Sequence, residues 1–441
     1  MINALALPLT SLSNLFSSKA VVVIISLVLF AHAMQYRSVG NNWGAIVTMD
    51  GFGYYGYLPY AFETGFESFG GYCDFVADPG CTPFYMREQH GKAVDKYYAG
   101  TALLCAPFYL AGQVIARAYG VESNGYSKIN FYSIAAAACF YLLLGLWAMR
   151  KVFLMLGFSD GLVSLLLLTV TMGTNIYWYT VHEPGISHIY SFALMNCICL
   201  VVCKWKRNAS QQNALWFYFL LGLLVLSRPT NALFIFFIPF FLSLNEAKKL
   251  FLFVAGWPLF CAIVFIQFLL YKLQCGHWLV WSYKEEFFDF TTPHFFDTWL
   301  GSAKGLIWYF PILALSILGI VMILFRNWKR GLLLLFPLIF LFYVLSCWTS
   351  WRYGWSMGMR GYIEFYIFLI IPIAWTWQFL SKKFQGRIFL TACFSCCLAY
   401  TIWIDAVAES NYSFMQGMDA ATWQAIMFKS PEEVKVFAAD Q

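Results

Sequence analysis

Apolar runs such as Val21–Phe30, Leu215–Leu226 and Leu332–Leu345 recur along the whole chain, broken only by short clusters of charge. Only 11% of the 441 residues are charged and 61% are hydrophobic, whereas a soluble chain carries about 25% charged residues. No soluble fold can hide that much apolar surface from water. A bilayer can, because its hydrocarbon thickness takes about 20 helical residues. The pattern predicts an all-α polytopic membrane protein, with one continuous membrane domain over 1–405, a short outer tail over 406–441 and no soluble domain of ordinary size. The formal charge of +6 could point to nucleic acid, but Lys and Arg are scattered between apolar runs rather than gathered in a stripe, which removes the basis for that reading.

Spans placed at 20–34, 129–149, 161–180, 187–203, 213–227, 230–244, 250–271, 305–325, 331–347, 362–380 and 388–405 make about eleven transmembrane helices, with the N-terminus inside. The short inner connections are then basic: Arg150 and Lys151; Lys204, Lys206 and Arg207; Lys248 and Lys249; Arg326, Lys329 and Arg330; Lys382, Lys383 and Arg387. With Lys19 these make half of the chain's 28 Lys and Arg, while only Asp160 and Glu246 of its 22 acids lie beside them. That asymmetry is the positive-inside rule, and it leaves the functional polar chemistry outside. Lys19, the following apolar run and Ala31-His32-Ala33 also mimic a secretory signal with its cleavage site, and the topology is the same on either reading. The segment Ala99 to Ala118 is apolar enough to span, but counting it would invert every later loop, so it is read as an interfacial or re-entrant helix.

The longest polar segment, 35–128, is the first outer loop, and two of its stretches, Tyr54 to Phe69 and Tyr97 to Tyr119, are dense in aromatics of the kind that lie at headgroup depth. It also holds Cys73 and Cys81, which an oxidising compartment would favour joining, with Cys275 as the competing partner. Most other cysteines sit inside apolar runs as small buried hydrophobes, and there is no CxxC metal pattern.

Candidate chemistry follows the outer loops. Asp50, about 16 residues beyond the first span, is placed to accept a proton from a hydroxyl, or is an ordinary loop acid or helix cap. His182, Glu183 and His188 supply two imidazoles and a carboxylate, a set that could hold a divalent cation; the alternative is a polar helix end with Glu183 as its cap, or Glu183 positioning an acceptor hydroxyl. Arg228 interrupts a long apolar stretch and must face water, a partner or a ligand. Lys96 and the pair Arg352 and Arg360 are the other outer cations suited to a phosphate, Arg360 with Glu364 four residues on as an alternative helix partner. Glu285 and Glu286, among phenylalanines, suit a sugar-binding loop or a solvated one. No cofactor is demanded beyond that possible cation.

The order of these pieces is similar to one family. Asp50-Gly51-x-x-Tyr54-Tyr55, Lys96-Tyr97-x-x-Gly100-Thr101-Ala102-Leu103-x-x-Ala106-Pro107-Phe108, Ser187-His188-x-Tyr190-Ser191-Phe192, Arg228-Pro229-Thr230-Asn231 and Gly358-Met359-Arg360-Gly361-Tyr362 together resemble the GT-C glycosyltransferases, the polyprenyl-phosphate-sugar-dependent membrane enzymes that include the protein O-mannosyltransferases and the aminoarabinose transferase of lipid A. The resemblance implies a membrane glycosyltransferase with Asp50 as catalytic base, outer cations on the donor phosphate, Tyr54 and Tyr55 beside the substrate, and a direct in-line displacement that inverts the anomeric carbon. Where some members carry a second acid beside the base, this chain has Gly51, and the tail is too short for the outer domain of the larger relatives. Expected partners are a polyprenyl-phosphate-sugar donor, membrane lipids and a glycan, lipid or protein acceptor. The expected setting is a bacterial inner membrane with the site facing the periplasm, acting on a cell-envelope glycan or lipopolysaccharide. A polysaccharide polymerase or ligase, or a transporter of lipid-linked or small-molecule substrates, is the alternative.

Overall fold

The computed structural model describes residues 17–38, 42–69, 71–78, 81–121, 124–409, 417–427 and 429–434. It is mostly helical, and among the described residues eight helices are long and apolar enough to cross a membrane: Ser18–Tyr36, Gly100–Ala118, Lys128–Met155, His188–Arg207, Val254–Cys275, Trp328–Ser346, Arg360–Leu380 and Phe384–Ala408. Helix is the element a hydrocarbon environment favours, because it bonds all its backbone polar groups internally. This is a helical membrane protein. Of the tail expected over 406–441, residues 410–416, 428 and 435–441 lie outside the described residues, and Ala420–Ile426 is helical.

Several expected spans are not single long helices. The segment 161–180 divides into α6 (Asp160–Met172) and α7 (Ile176–Val181), because Gly173 ends the first and Asn175 starts the second. Pro229 and Pro311 open turns of 3-10 helix, so 230–244 becomes Pro229–Phe237 followed by Ile238–Phe241, and 305–325 becomes Leu306–Tyr309, Pro311–Leu313 and Ala314–Arg326. Proline lacks the N–H that a continuing helix needs, which is why the breaks fall there.

The centre is built from α1 (Ser18–Ser38), α5 (Lys128–Met155), α6, α8 (His188–Arg207) and α9 (Gln211–Ser227), with α5 against α8 and α1 against both α5 and α6. At one end Arg150 and Ser18 both bind Asp160 or each other, tying α1, α5 and α6 together. Between α1 and α5 the chain carries α2 (Asp50–Phe62), the short α3 (Gly71–Phe75), an antiparallel hairpin of β1 (Met86–Gln89) with β2 (Lys92–Asp95), and α4 (Gly100–Ala118). The hairpin is a departure from the all-helical expectation. Cys73 and Cys81 are joined in a disulfide, and Cys275 is free and buried.

Helix α4 runs antiparallel beside the N-terminal half of α5. Tyr141 Oη donates to Leu104 O at 3.1 Å, while a Cβ on Gly112 would lie 3.1 Å from Ser133 Oγ near the start of α5. At the other end, a Cβ on Gly100 would come within 2.3 Å of Ser227 N and 2.5 Å of Leu226 C. Glycine is therefore required there, and it seats the start of α4 directly on the last turn of α9, next to Arg228.

Candidate functional site

Glycines assemble the site. Helix α2 begins at Asp50, just after Met49, whose φ of 43° is a left-handed conformation that a bulky residue keeps only when its surroundings hold it. A Cβ on Gly51 would meet the Gly185 backbone at 3.5 Å, and one on Gly53 would sit 2.1 Å from Tyr97 Cδ2. The missing side chain at Gly53 thus lets the Tyr97 ring lie across the helix. From there Tyr97 Oη donates to Asp50 Oδ1 at 2.6 Å.

The other Asp50 oxygen pairs with Arg360, which stands in the 3-10 turn Arg360–Phe365 far along the chain. Burial pushes the Asp50 carboxyl up, but Arg360, the Tyr97 hydroxyl and Lys96 outweigh it and hold the group below its ordinary value. Asp50 is a charged carboxylate at rest. Arg360 is buried and spends one nitrogen on Asp50, while its Nε and Nη1 have no hydrogen-bond partner among the described residues. Buried donors in this state are costly, so they mark a place where an anion would be welcome.

Asp50, Lys96, Arg228 and Arg360 line one cavity of about 310 Å³, walled by Tyr54, Tyr98, Trp281, Tyr283, Trp348 and Tyr353 among others. Lys96 is paired with Glu286 and lies over the Tyr283 ring at 5.1 Å. Arg228 Nε is 3.1 Å from Glu364 Oε1, and His188 Nδ1 is 3.0 Å from the same oxygen. Arg228 Nη1 reaches Ser187 Oγ at 3.4 Å. Three separated sequence motifs meet in this buried network. Glu364 is thus a partner of Arg228 and His188 rather than the helix partner of Arg360, because the 3-10 turn points the two side chains to different neighbours.

Other expected residues stand elsewhere. Tyr55 turns its hydroxyl to Gly125 O and does not line the cavity, Arg352 lies over the Trp351 ring at 5.2 Å outside it, and Glu285 is exposed. His182, Glu183 and His188 do not form a metal site: no group of three or more His, Cys, Asp or Glu among the described residues is arranged to hold an ion. The two imidazoles diverge, His182 Nε2 to Glu409 at 3.0 Å and His188 to Glu364, while Trp178 Nε1 donates to Glu183 at 2.9 Å. Glu183 lies in the short loop before α8, where burial pushes its carboxyl up to about 7 against the pull of Arg360 and Trp178.

Lys304 was not singled out by sequence. It is fully buried, bonds Ser356 O, and is pushed down to about 7 by burial and by Arg360, with Glu183 opposing. Its signal was present, since the topology expected from the sequence puts a lone lysine at the outer start of an apolar run, against the positive-inside rule. The aromatic wall from Trp281, Tyr283 and Trp348 was likewise missed, because aromatic residues are common throughout this chain. A second cavity, of about 500 Å³, lies at the far end of the helix Tyr366–Leu380 and is lined by no carboxylate.

No protein-family model matches the chain, and the comparison with curated proteins finds no match.

Proposed function

We propose that the chain is an integral membrane glycosyltransferase that moves a sugar from a polyprenyl-phosphate donor to an acceptor hydroxyl on the outer side. The observation that carries this reading is convergence: Asp50, Lys96, Arg228 and Arg360, scattered over some three hundred positions, face one aromatic-walled cavity. A carboxylate among cations, with rings to stack on a sugar, has the parts an in-line displacement needs.

The acceptor oxygen attacks the anomeric carbon, and its proton passes to Asp50. The bond from that carbon to the phosphate oxygen breaks, its electron pair leaving with the polyprenyl phosphate and the configuration inverting. Arg360 offers Nε and Nη1 to the developing charge, with Arg228 and Lys96 on the cavity wall. At rest Arg360 holds Asp50 below its ordinary value, so the carboxylate is a weak base. A phosphate that takes a share of the guanidinium weakens that hold, and Asp50 becomes more basic as the donor arrives.

The topology belongs to the same reading: about eleven spans, with the N-terminus inside and the cavity outside. What supports it is the place of α4, which lies along the N-terminal half of α5 and returns toward the start of that helix. The setting is a bacterial inner membrane with the cavity facing the periplasm, and the acceptor is a cell-envelope glycan or lipopolysaccharide.

The test is mass spectrometry of envelope glycans from cells with the protein, without it, and with Asp50→Asn. One sugar should be missing without the protein, restored by wild type and not by Asp50→Asn, whose transfer should fall by about 100-fold or more. Identical glycans with and without the protein would end the glycosyltransferase reading, and full rescue by a folded Asp50→Asn would end the base assignment.

A further inference from the structure

The cavity of about 500 Å³ sits between the last turn of α15 (Ala314–Arg326), the first turn of α16 (Trp328–Ser346) and the last turn of α17 (Tyr366–Leu380). Helix α17 follows directly on the turn that carries Arg360, so its fifteen residues separate this cavity from the Asp50 site by the length of the helix, about 22 Å. Arg326, Arg330 and Lys382 line it with Asn327 and Gln378, and Met322, Ile323, Trp375 and Phe379 make its apolar side.

Basic residues are expected at this end of the bundle, and some are engaged: Arg150 pairs with Asp160, and Lys206 donates to Phe241 O at 2.8 Å. Among the described residues the side chains of Arg326, Arg330 and Lys382 have no hydrogen bond or ion pair, and Arg330 instead lies over the Trp375 ring at 4.8 Å and the Phe240 ring at 5.3 Å. Two helix C-termini, those of α15 and α17, also end here. Their partial negative charges, about half a unit each, are smaller than three full cations, so the cavity is net positive. It combines an apolar wall, the Trp375 ring and three cations without a hydrogen bond or ion pair among the described residues.

We propose that this cavity binds the phosphate headgroup of an anionic membrane phospholipid. The phosphate takes the two arginines and the lysine, and the glycerol and upper acyl chains lie along Met322, Ile323 and Phe379. Basic pockets between spans at the inner face suit this chemistry, and the volume exceeds what a bare phosphate needs. Nothing in it depends on the reaction assigned to the Asp50 site.

Native mass spectrometry of the purified protein, exposed to phosphatidylglycerol or phosphatidylcholine of matched chains, tests it. Wild type should retain one phosphatidylglycerol in preference to phosphatidylcholine. Arg330→Gln and Lys382→Gln should each weaken that retention roughly five-fold, and the triple change with Arg326→Gln on the order of a hundred-fold. Lys248→Gln with Lys249→Gln, in another inner connection, should leave it unchanged. Should the triple variant not fold, the single exposed Lys382→Gln decides alone. Equal retention of both lipids, equal loss from the Lys248 and Lys249 changes, or full displacement by inorganic phosphate at millimolar concentration would each overturn the proposal, the last by making the ligand free phosphate.

Discussion

Replacing Gly53 by alanine should test how the site is assembled without relying on any assay of activity. The new Cβ would lie 2.1 Å from Tyr97 Cδ2 and 2.7 Å from Cε2, so the ring must retreat by more than an ångström in a packed interior. Overpacking of that kind costs about 1–3 kcal/mol. Moving the ring also removes the 2.6 Å hydrogen bond to the Asp50 carboxylate, about 1.5–3 kcal/mol for a charged acceptor. Against this, alanine gains about 1 kcal/mol over glycine within a helix. The net expectation is a loss of roughly 2–5 kcal/mol, since clash and lost bond outweigh propensity. Measured as reversible unfolding in mixed micelles, Gly53→Ala should destabilise the wild type but become neutral or stabilising, by up to about 1 kcal/mol, in a Tyr97→Ala background where the ring is gone. Equal destabilisation in both backgrounds would refute the claim that Gly53 exists to admit Tyr97.

Gly100→Ala should cost about 3 kcal/mol in the same assay, because its Cβ meets backbone atoms of Leu226 and Ser227 that cannot swing aside, while Gly161→Ala, with open space around it, should be near neutral; equal effects would remove the close approach of α4 to α9. Glu183, raised to about 7 from 4.5, favours its protonated form in the fold, so the stability it contributes is full below its unfolded value and lost as pH rises through about 7. Wild type should lose up to about 3 kcal/mol between pH 5 and pH 8 on this account, and Glu183→Gln should flatten that slope in unfolding midpoints; an unchanged slope would assign the loss to another group. Tyr119 is 79% exposed just after α4, and a cysteine placed there should react with an impermeant reagent from outside; labelling only from inside would make α4 a true crossing and reverse the topology.

The site was only partly legible in the sequence, for reasons that differ residue by residue. Arg228 could be named because a charge that interrupts an apolar stretch is costly, Asp50 from its place after the first span and the family resemblance, and Lys96 and Arg360 as loop cations suited to a phosphate; the structure gathers all four at one cavity. Arg352 was named on the same ground as Arg360 yet lies outside the cavity, over the Trp351 ring, since an arginine beside tryptophan is also an ordinary interfacial anchor. His182, Glu183 and His188 looked like a ligand set because they are close in sequence, but the break between α7 and α8 turns the two imidazoles toward Glu409 and Glu364. Neither carboxylate could be chosen from 22 acids by spacing, as both contacts bridge helices remote in the chain.

By itself the sequence determined the solvent and the class of fold. With 61% hydrophobic residues and few charges, burial against lipid is the one low-energy outcome, and helices are what satisfy the backbone there. Local chemistry also set the breaks, at Gly173, Pro229 and Pro311. Only the tertiary structure decided pairing: that Asp50 would meet Arg360 rather than solvent, that Glu364 would serve Arg228 and His188, and that Gly53 and Gly100 are the contact points that let Tyr97 and α9 approach. The physical reason is that burial is a property of single residues and short windows, which composition and periodicity record. An ion pair or a close approach is a property of two segments at once, and it exists only after the helices between them have packed.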